Sequence, residues 1–157
     1  MTELFLPDPA ATDALGEALA RTRPASAVVH LHGDLGAGKS SLARGALGAL
    51  GVRIVLLRAA GTLVERYPLP EGEAWHLDLY RIGDPGELEF LGLDAAEARL
   101  WLVEWPDRGA GALPAPDLRV HLAIDGAGRR CRLEPASAAG TAWARRATDD
   151  QGLAAQS

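Results

Sequence analysis

Gly33-Asp34-Leu35-Gly36-Ala37-Gly38-Lys39-Ser40, the stretch GDLGAGKS, sets three glycines ahead of a lysine and a hydroxyl residue. Glycines at those positions let the backbone turn so that several N–H groups point at one spot, and a helix beginning near Lys39 adds its positive end. The β- and γ-phosphates of a nucleotide fit such a cradle. Lys39 reaches them as a flexible point charge, and the Ser40 hydroxyl ligates magnesium. The context agrees, because Ala27 to Leu31 is a short β-prone run and Ser41 to Leu50 has helical character that stops at Gly51. Gly33, Asp34, Leu35, Gly36, Ala37, Gly38, Lys39, Ser40 and Ser41 are therefore the expected contacts for ATP. One compositional fact strengthens the reading: of the 16 basic residues, Lys39 is the only lysine.

The surrounding chain is that of an ordinary globular protein. Its 157 residues, 48% hydrophobic and 24% charged, suit one domain with one substantial core. Apolar runs such as Val52 to Leu57 and Leu100 to Val103 fall far short of the roughly 20 residues needed to cross a bilayer. The start, MTELFLPDPA, has no basic lead and no apolar segment of a secretory leader, so a cytoplasmic protein without membrane contact is expected. Cys131 has no companion for a disulfide or a metal site and reads as a plain thiol. A formal charge of −5 argues against a large phosphate-backbone footprint, so any nucleic acid is expected to be held by a partner.

Away from the loop, Asp8-Pro9 reads as a helix start, with Ala14, Leu15, Ala18 and Leu19 at helical spacing, which predicts a helix over Pro9 to Arg21. The apolar run ending at Leu57, the segment Thr62 to Tyr67 and the stretch Trp75 to Arg81 read as strands, with a turn around Pro68 to Gly72. Pro85 to Ala98 reads as a helix with Glu87 and Glu89 in its first turn, and Leu100 to Trp105 as a buried strand. Leu118 to Ile124 and Cys131 to Glu134 flank Asp125-Gly126 as a β-hairpin. Beyond Pro135 the composition predicts a frayed or weakly helical tail with a lone Trp143.

A metal acid is needed opposite Ser40, and in loop-type nucleotidases it stands at the end of an apolar strand. Glu104, after Leu100 to Val103, has that position. Asp78 is the second candidate, since strand alternation puts His76, Asp78 and Tyr80 on one face. His76 reads more readily as a structural histidine than as a working one. Arg81 has two readings, phosphate neutralisation or pairing with Asp84. His30, His32 and His121 lack companions at ligand spacing and read as core or edge residues. Trp101 reads as core; Trp105, followed by Pro106, reads as a residue of the site or of a partner surface.

The ordered set GDLGAGKS, HLDLYR, EFLGLD and VEWP resembles the TsaE family, the small ATPase of bacterial tRNA threonylcarbamoyladenosine biosynthesis, over roughly Leu4 to Glu134. The resemblance implies an α/β fold, a P-loop NTPase-like three-layer sandwich with a mixed, mainly parallel sheet and a C-terminal β-hairpin. Residues 1–135 would form the ATPase domain and residues 136–157 a flexible tail. It further implies ATP and magnesium as ligands, TsaD and TsaB as partners with tRNA reached only through them, phosphate binding by Lys39, and magnesium binding at Ser40. Asp78 and Glu104 match the family's acidic residues, as metal ligands and catalytic groups alike, and Trp105 belongs to the same Glu-Trp motif.

One stretch departs from the pattern. Where the family usually carries Ser-Pro-Thr-Phe ahead of a Thr-Leu-Val run, this chain has Arg58-Ala59-Ala60-Gly61 ahead of Thr62-Leu63-Val64. Ala60 has no hydroxyl to offer and Gly61 adds backbone freedom that ordering must remove. The expectation is that nucleotide binding persists while hydrolysis, or its coupling to partners, is weakened. Two other functions compete: a nucleotide-dependent assembly factor with little hydrolysis, and a small-molecule kinase, against which stands the lack of an arginine-rich lid segment.

Overall fold

The structure is a computed structural model, and it describes residues 1–51, 64–82 and 95–151. Its central strand explains the rest. Strand β2 (Ala27–His32) is buried along almost its whole length, as expected of a near-continuous apolar run flanked by parallel neighbours. It lies between β5 (Ala98–Glu104) and β6 (Leu118–Asp125), parallel to both, and β4 (Gly72–Asp78) extends the parallel set beyond β5. Antiparallel strands close both flanks: β3 (Val64–Leu69) on β4, then β7 (Gly128–Pro135) on β6 and β1 (Thr2–Leu6) on β7. The order across the sheet is β1-β7-β6-β2-β5-β4-β3. The expected α/β class with a mixed sheet and a C-terminal hairpin is borne out.

Helices α1 (Pro9–Arg21), α2 (Lys39–Ala49) and α3 (Ala138–Asp150) pack with Val29 and Leu31 of β2 and with β6 and β7 into one apolar cluster. Asp8 starts α1 by accepting a hydrogen bond from the Ala11 N–H at 2.8 Å, with Pro9 in the first turn, so this helix spans the residues the sequence predicts. Helix α1 in turn sets α2. A Cβ on Gly16 would lie 2.2 Å from the Leu42 carbonyl oxygen, and one on Gly45 would lie 2.5 Å from that of Asp13, so the two backbones touch where side chains are missing. On the other face of the sheet, Val28, Trp75, Leu77, Trp101 and Val103 form a second cluster, with the Trp75 and Trp101 rings 4.8 Å apart.

Several expectations are revised. The first five-residue strand, with Leu4 and Leu6 buried, escaped the reading because Pro7 cuts it short. Strand β3 runs through Pro68 to Leu69, since an outer strand needs no N–H there, and the turn shrinks to Pro70-Glu71. Strand β4 stops at Asp78, short of Arg81. The helix expected to reach Ala98 meets a short 3-10 turn at Ala95–Glu97 and the start of β5; its earlier part, with the run from Val52 to Leu57 and the Arg58 to Gly61 stretch, lies outside the described residues.

The largest correction concerns the expected tail. Residues 138–150 form α3, capped by Ser137, whose Oγ accepts from the Gly140 N–H at 2.9 Å. Trp143 is fully buried and donates its indole N–H to the Leu19 carbonyl at 3.0 Å. Composition hid this because alanine and arginine cover the exposed face, and a single tryptophan supplies the anchor. Trp143→Ala is expected to destabilise the chain by about 3–5 kcal/mol in urea unfolding; a change below about 1 kcal/mol would show that α3 does not belong to the core.

Candidate nucleotide-binding site

The loop between β2 and α2 takes its shape from backbone constraints. Gly33, at φ +151, is forced by crowding, because a Cβ there would sit 2.5 Å from the Leu122 carbonyl oxygen of β6. Gly36 and Gly38 have φ of +81 and +107, in the left-handed region that favours glycine, and Gly38 opens α2. Lys39 is almost wholly buried. Its Nζ donates to the Gly33 carbonyl and, at 3.2 Å, to that of Asp34, while it lies 4.0 Å from the centre of the Trp105 ring. Burial lowers the Lys39 pKa from its ordinary value, against the pull of Glu104, Asp78 and Asp34. The ammonium is thus parked on carbonyls inside the curl of the loop, within reach of an incoming anion.

The parallel sheet delivers the acids. Asp78 and Glu104 end adjacent strands and are register partners, so both carboxylates emerge at the same edge, beside the loop. The Ser40 hydroxyl donates to Glu104, with Oε1 at 2.9 Å and Oε2 at 3.1 Å. Behind Glu104 lies His76, whose Nε2 is 2.7 Å from Oε2, while its Nδ1 is 3.6 Å from Glu65 Oε2 on β3. Burial works against a charged His76 ring, but the hydrogen bonds to Glu104 and Glu65 outweigh it and raise its pKa to about 9. Burial likewise opposes the Glu104 carboxylate, and His76, Ser40 and Lys39 hold it below the usual glutamate value. The pair stands as imidazolium and carboxylate, with few water contacts.

Around these groups opens a cavity of about 290 Å³, lined by the loop from Asp34 to Ser41, by Arg44, and by Asp78, Tyr80, Glu104 and Trp105. Trp105 follows Glu104 with φ 56, the only positive φ outside glycine among the described residues, a conformation that costs about 1–3 kcal/mol. It turns the indole back over Lys39 and against Tyr80, whose ring lies 5.0 Å away, and Arg108 stacks on Tyr80 at 5.0 Å. Asp34 to Ser41, Asp78, Tyr80, Glu104 and Trp105, all singled out from the sequence, meet here; Gly33 does not line the cavity, Trp101 packs in the second apolar cluster, and His76 is sealed behind Glu104 as its hydrogen-bond partner. Arg81 is exposed and lines no part of the cavity; Arg44 stands there instead.

One contributor went unread. Arg129, at the start of β7, donates from Nη2 to the Gly36 carbonyl at 3.1 Å and from Nε to that of Ala37 at 3.2 Å, tying the hairpin to the loop. Alternation with Cys131 and Leu133 was the available signal, since it puts Arg129 on the helix-facing side of the strand. Cys131 itself is fully buried, its thiol pushed up to about 12 by loss of solvent, which leaves it inert.

The chain is similar to known proteins in sequence and in architecture. The family model described as threonylcarbamoyl adenosine biosynthesis protein TsaE matches residues 6–131. Among curated relatives, the tRNA threonylcarbamoyladenosine biosynthesis protein TsaE of Haemophilus influenzae is 42% identical over 60% of this chain and 61% of its own length. The Synechocystis protein of the same name is 39% identical over 68% of this chain and 71% of its own length. This chain thus spans about three fifths of the Haemophilus relative. In architecture it is similar to the crystal structure of Bacillus subtilis YdiB, with a TM-score of 0.77, 24% identity and 95% of both chains covered.

The remaining histidines lie on the face of β2 and β6 away from the helices. His32 stacks on His121 at 4.9 Å, and His121 bonds Glu134 at 2.9 Å. His30 is buried; loss of solvent, then the neighbouring His32 and Arg119, lower its pKa to about 4. Between that value and the ordinary 6.5 the unfolded chain binds the extra proton, so His30 removes stability as pH falls through this window. His30→Leu is expected to flatten the decline in urea midpoint between pH 6.5 and 4; an unchanged slope would contradict the assignment.

Proposed function

The chain belongs to the TsaE family, and on that premise we propose that it is an ATP-binding, magnesium-dependent ATPase subunit serving the TsaB and TsaD machinery that makes threonylcarbamoyladenosine in tRNA. The observation that carries the reading is the contact between the Ser40 hydroxyl and both oxygens of Glu104, one residue from the sole lysine. These are hard oxygen donors at the mouth of a phosphate-binding loop. They suit magnesium, which takes one or two carboxylates and completes its shell with phosphate and water. Ser40 and Glu104 would hold the ion, with Asp78 as a further acid at its edge. The ion, when bound, would supply neutralisation of phosphate charge there.

The protein's own residues do the rest. Lys39 leaves the Gly33 and Asp34 carbonyls for phosphate, and the N–H groups of the loop from Gly33 to Ser41 supply neutral donors around it. Asp78 and Glu104 orient the attacking water, and His76 keeps Glu104 ionised in a site with little water. The net charge of −5 fits a protein that reaches tRNA only through TsaD and TsaB. No helix among the described residues is long and apolar enough to cross a membrane, in keeping with a cytoplasmic place of work.

A second reading follows from one feature. Arg58-Ala59-Ala60-Gly61 lacks the hydroxyls and proline usual in the family, which favours a nucleotide-dependent assembly factor that turns over little ATP. Phosphate release, measured for the chain alone and with TsaB and TsaD, separates the two. The ATPase reading expects partner stimulation that Lys39→Ala abolishes, and at least a tenfold rise when Arg58-Ala59-Ala60-Gly61 is replaced by Ser-Pro-Thr-Phe. Equal rates before and after that replacement would show that the altered stretch does not limit turnover, and tight ATP binding by Lys39→Ala would remove the loop from its assigned role.

A further inference from the structure

The contacts that fix the acid at the end of β5 continue through the sheet to its outer strand. Glu104 accepts from the Ser40 hydroxyl on the loop side and meets His76 Nε2 at 2.7 Å on the other. The opposite ring nitrogen of His76, Nδ1, lies 3.6 Å from Glu65 Oε2 on β3. That same Glu65 oxygen accepts a hydrogen bond from the Tyr67 hydroxyl. We propose that Glu65 is a positioning residue for the magnesium site, holding the His76 ring, and through it the Glu104 carboxylate, in the geometry the ion requires. The proposal rests on the ATP and magnesium reading above and extends it to a strand outside the phosphate-binding motif.

Strand pairing explains why these groups meet. Glu65 and His76 are register partners across β3 and β4, and residues directly opposed in an antiparallel pair share one face of the sheet. On the other side of β4, His76 is paired with Leu102 and Asp78 with Glu104. Glu104 lies two residues beyond Leu102, so alternation returns it to the face that His76 occupies. The ring therefore spans from β3 to β5 on one face, with a carboxylate at each nitrogen. Tyr67, two residues along β3 from Glu65, packs against the helix-side core, and this anchors its hydroxyl beside the Glu65 oxygen.

Burial makes the outer link matter. His76 is 5% exposed and Glu104 3%, so their polar atoms must find partners within the protein. A ring held at one nitrogen can still turn, whereas a ring held at both has one orientation. Magnesium demands near-ideal octahedral geometry, so a displaced carboxylate binds it less well. Partners that orient a metal ligand from behind contribute about 10–100-fold to metal affinity. Glu65 is itself half-buried on the last strand of the sheet, where a purely structural ion pair would affect unfolding and leave the response to magnesium alone.

Two substitutions separate the place of the Glu65 oxygen from its charge. Glu65→Gln keeps an acceptor at the same reach; Glu65→Asp keeps the charge and draws the oxygen back by one methylene. ATP affinity of the full chain is measured by calorimetric titration with magnesium and with magnesium chelated, beside the urea midpoint of each protein. Wild type and Glu65→Gln are expected to lose at least about tenfold in affinity on chelation and Glu65→Asp about threefold or less, with magnesium-free affinity unchanged in all three. A Glu65→Asp ratio equal to that of wild type would overturn the proposal, as would a Glu65→Gln ratio as small as that of Glu65→Asp. So would a loss of ATP affinity that is the same with and without magnesium, or a variant whose urea midpoint alone changes. A wild-type chain that binds ATP without regard to magnesium would overturn the metal reading on which the proposal rests, which is a distinct result.

Discussion

A carboxylate with almost no water around it stays charged only if its surroundings stand in for the solvent, and Glu104 is in that position. Ser40 donates to both its oxygens, His76 presses a charged ring against one of them, and the Lys39 ammonium adds its field. Glu104 ends β5, and its partners come from two other elements: Lys39 and Ser40 from the first turn of α2, and His76 from β4. Parallel pairing of β4 with β5, in the register that aligns Asp78 with Glu104, brings them together. A slip of one residue would turn the acids to the opposite face, so sheet register and site geometry are one constraint.

The same economy appears in the loop. Its lysine is buried among carbonyls and under an indole, a costly place for a charge, and three glycines with a strained Trp105 keep it there. Arg129 extends the arrangement to the C-terminal hairpin, and α3 locks that end of the sheet to α1 through the Trp143 bond to Leu19. The part of the chain with the blandest composition thus stabilises the helix that α2 leans on.

Much of this was legible in the sequence because the chemistry is local. GDLGAGKS marks the turn from β2 into α2, Asp8-Pro9 marks a helix start, and Glu104 closes an apolar strand. What escaped depends on contacts distant in sequence. Nothing around Arg129 signals that it meets Gly36, 93 residues away. The pairing of His76 with Glu104 needs the register between β4 and β5, which alternation along one strand does not supply. The third helix was hidden by an alanine-rich composition in which one tryptophan does the anchoring, and β1 by a length too short for periodicity to register.

The central claim is that Ser40 and Glu104 form the magnesium-binding end of an ATP site, and the most direct measurement is ATP affinity with and without magnesium in wild type and in Glu104→Gln. Wild type should lose at least about tenfold in affinity when magnesium is chelated, and Glu104→Gln, which leaves Lys39 and the loop in place, should show little dependence on the ion. If Glu104→Gln responds to magnesium as strongly as wild type does, the acid at the end of β5 does not hold the metal and the account of the site is wrong.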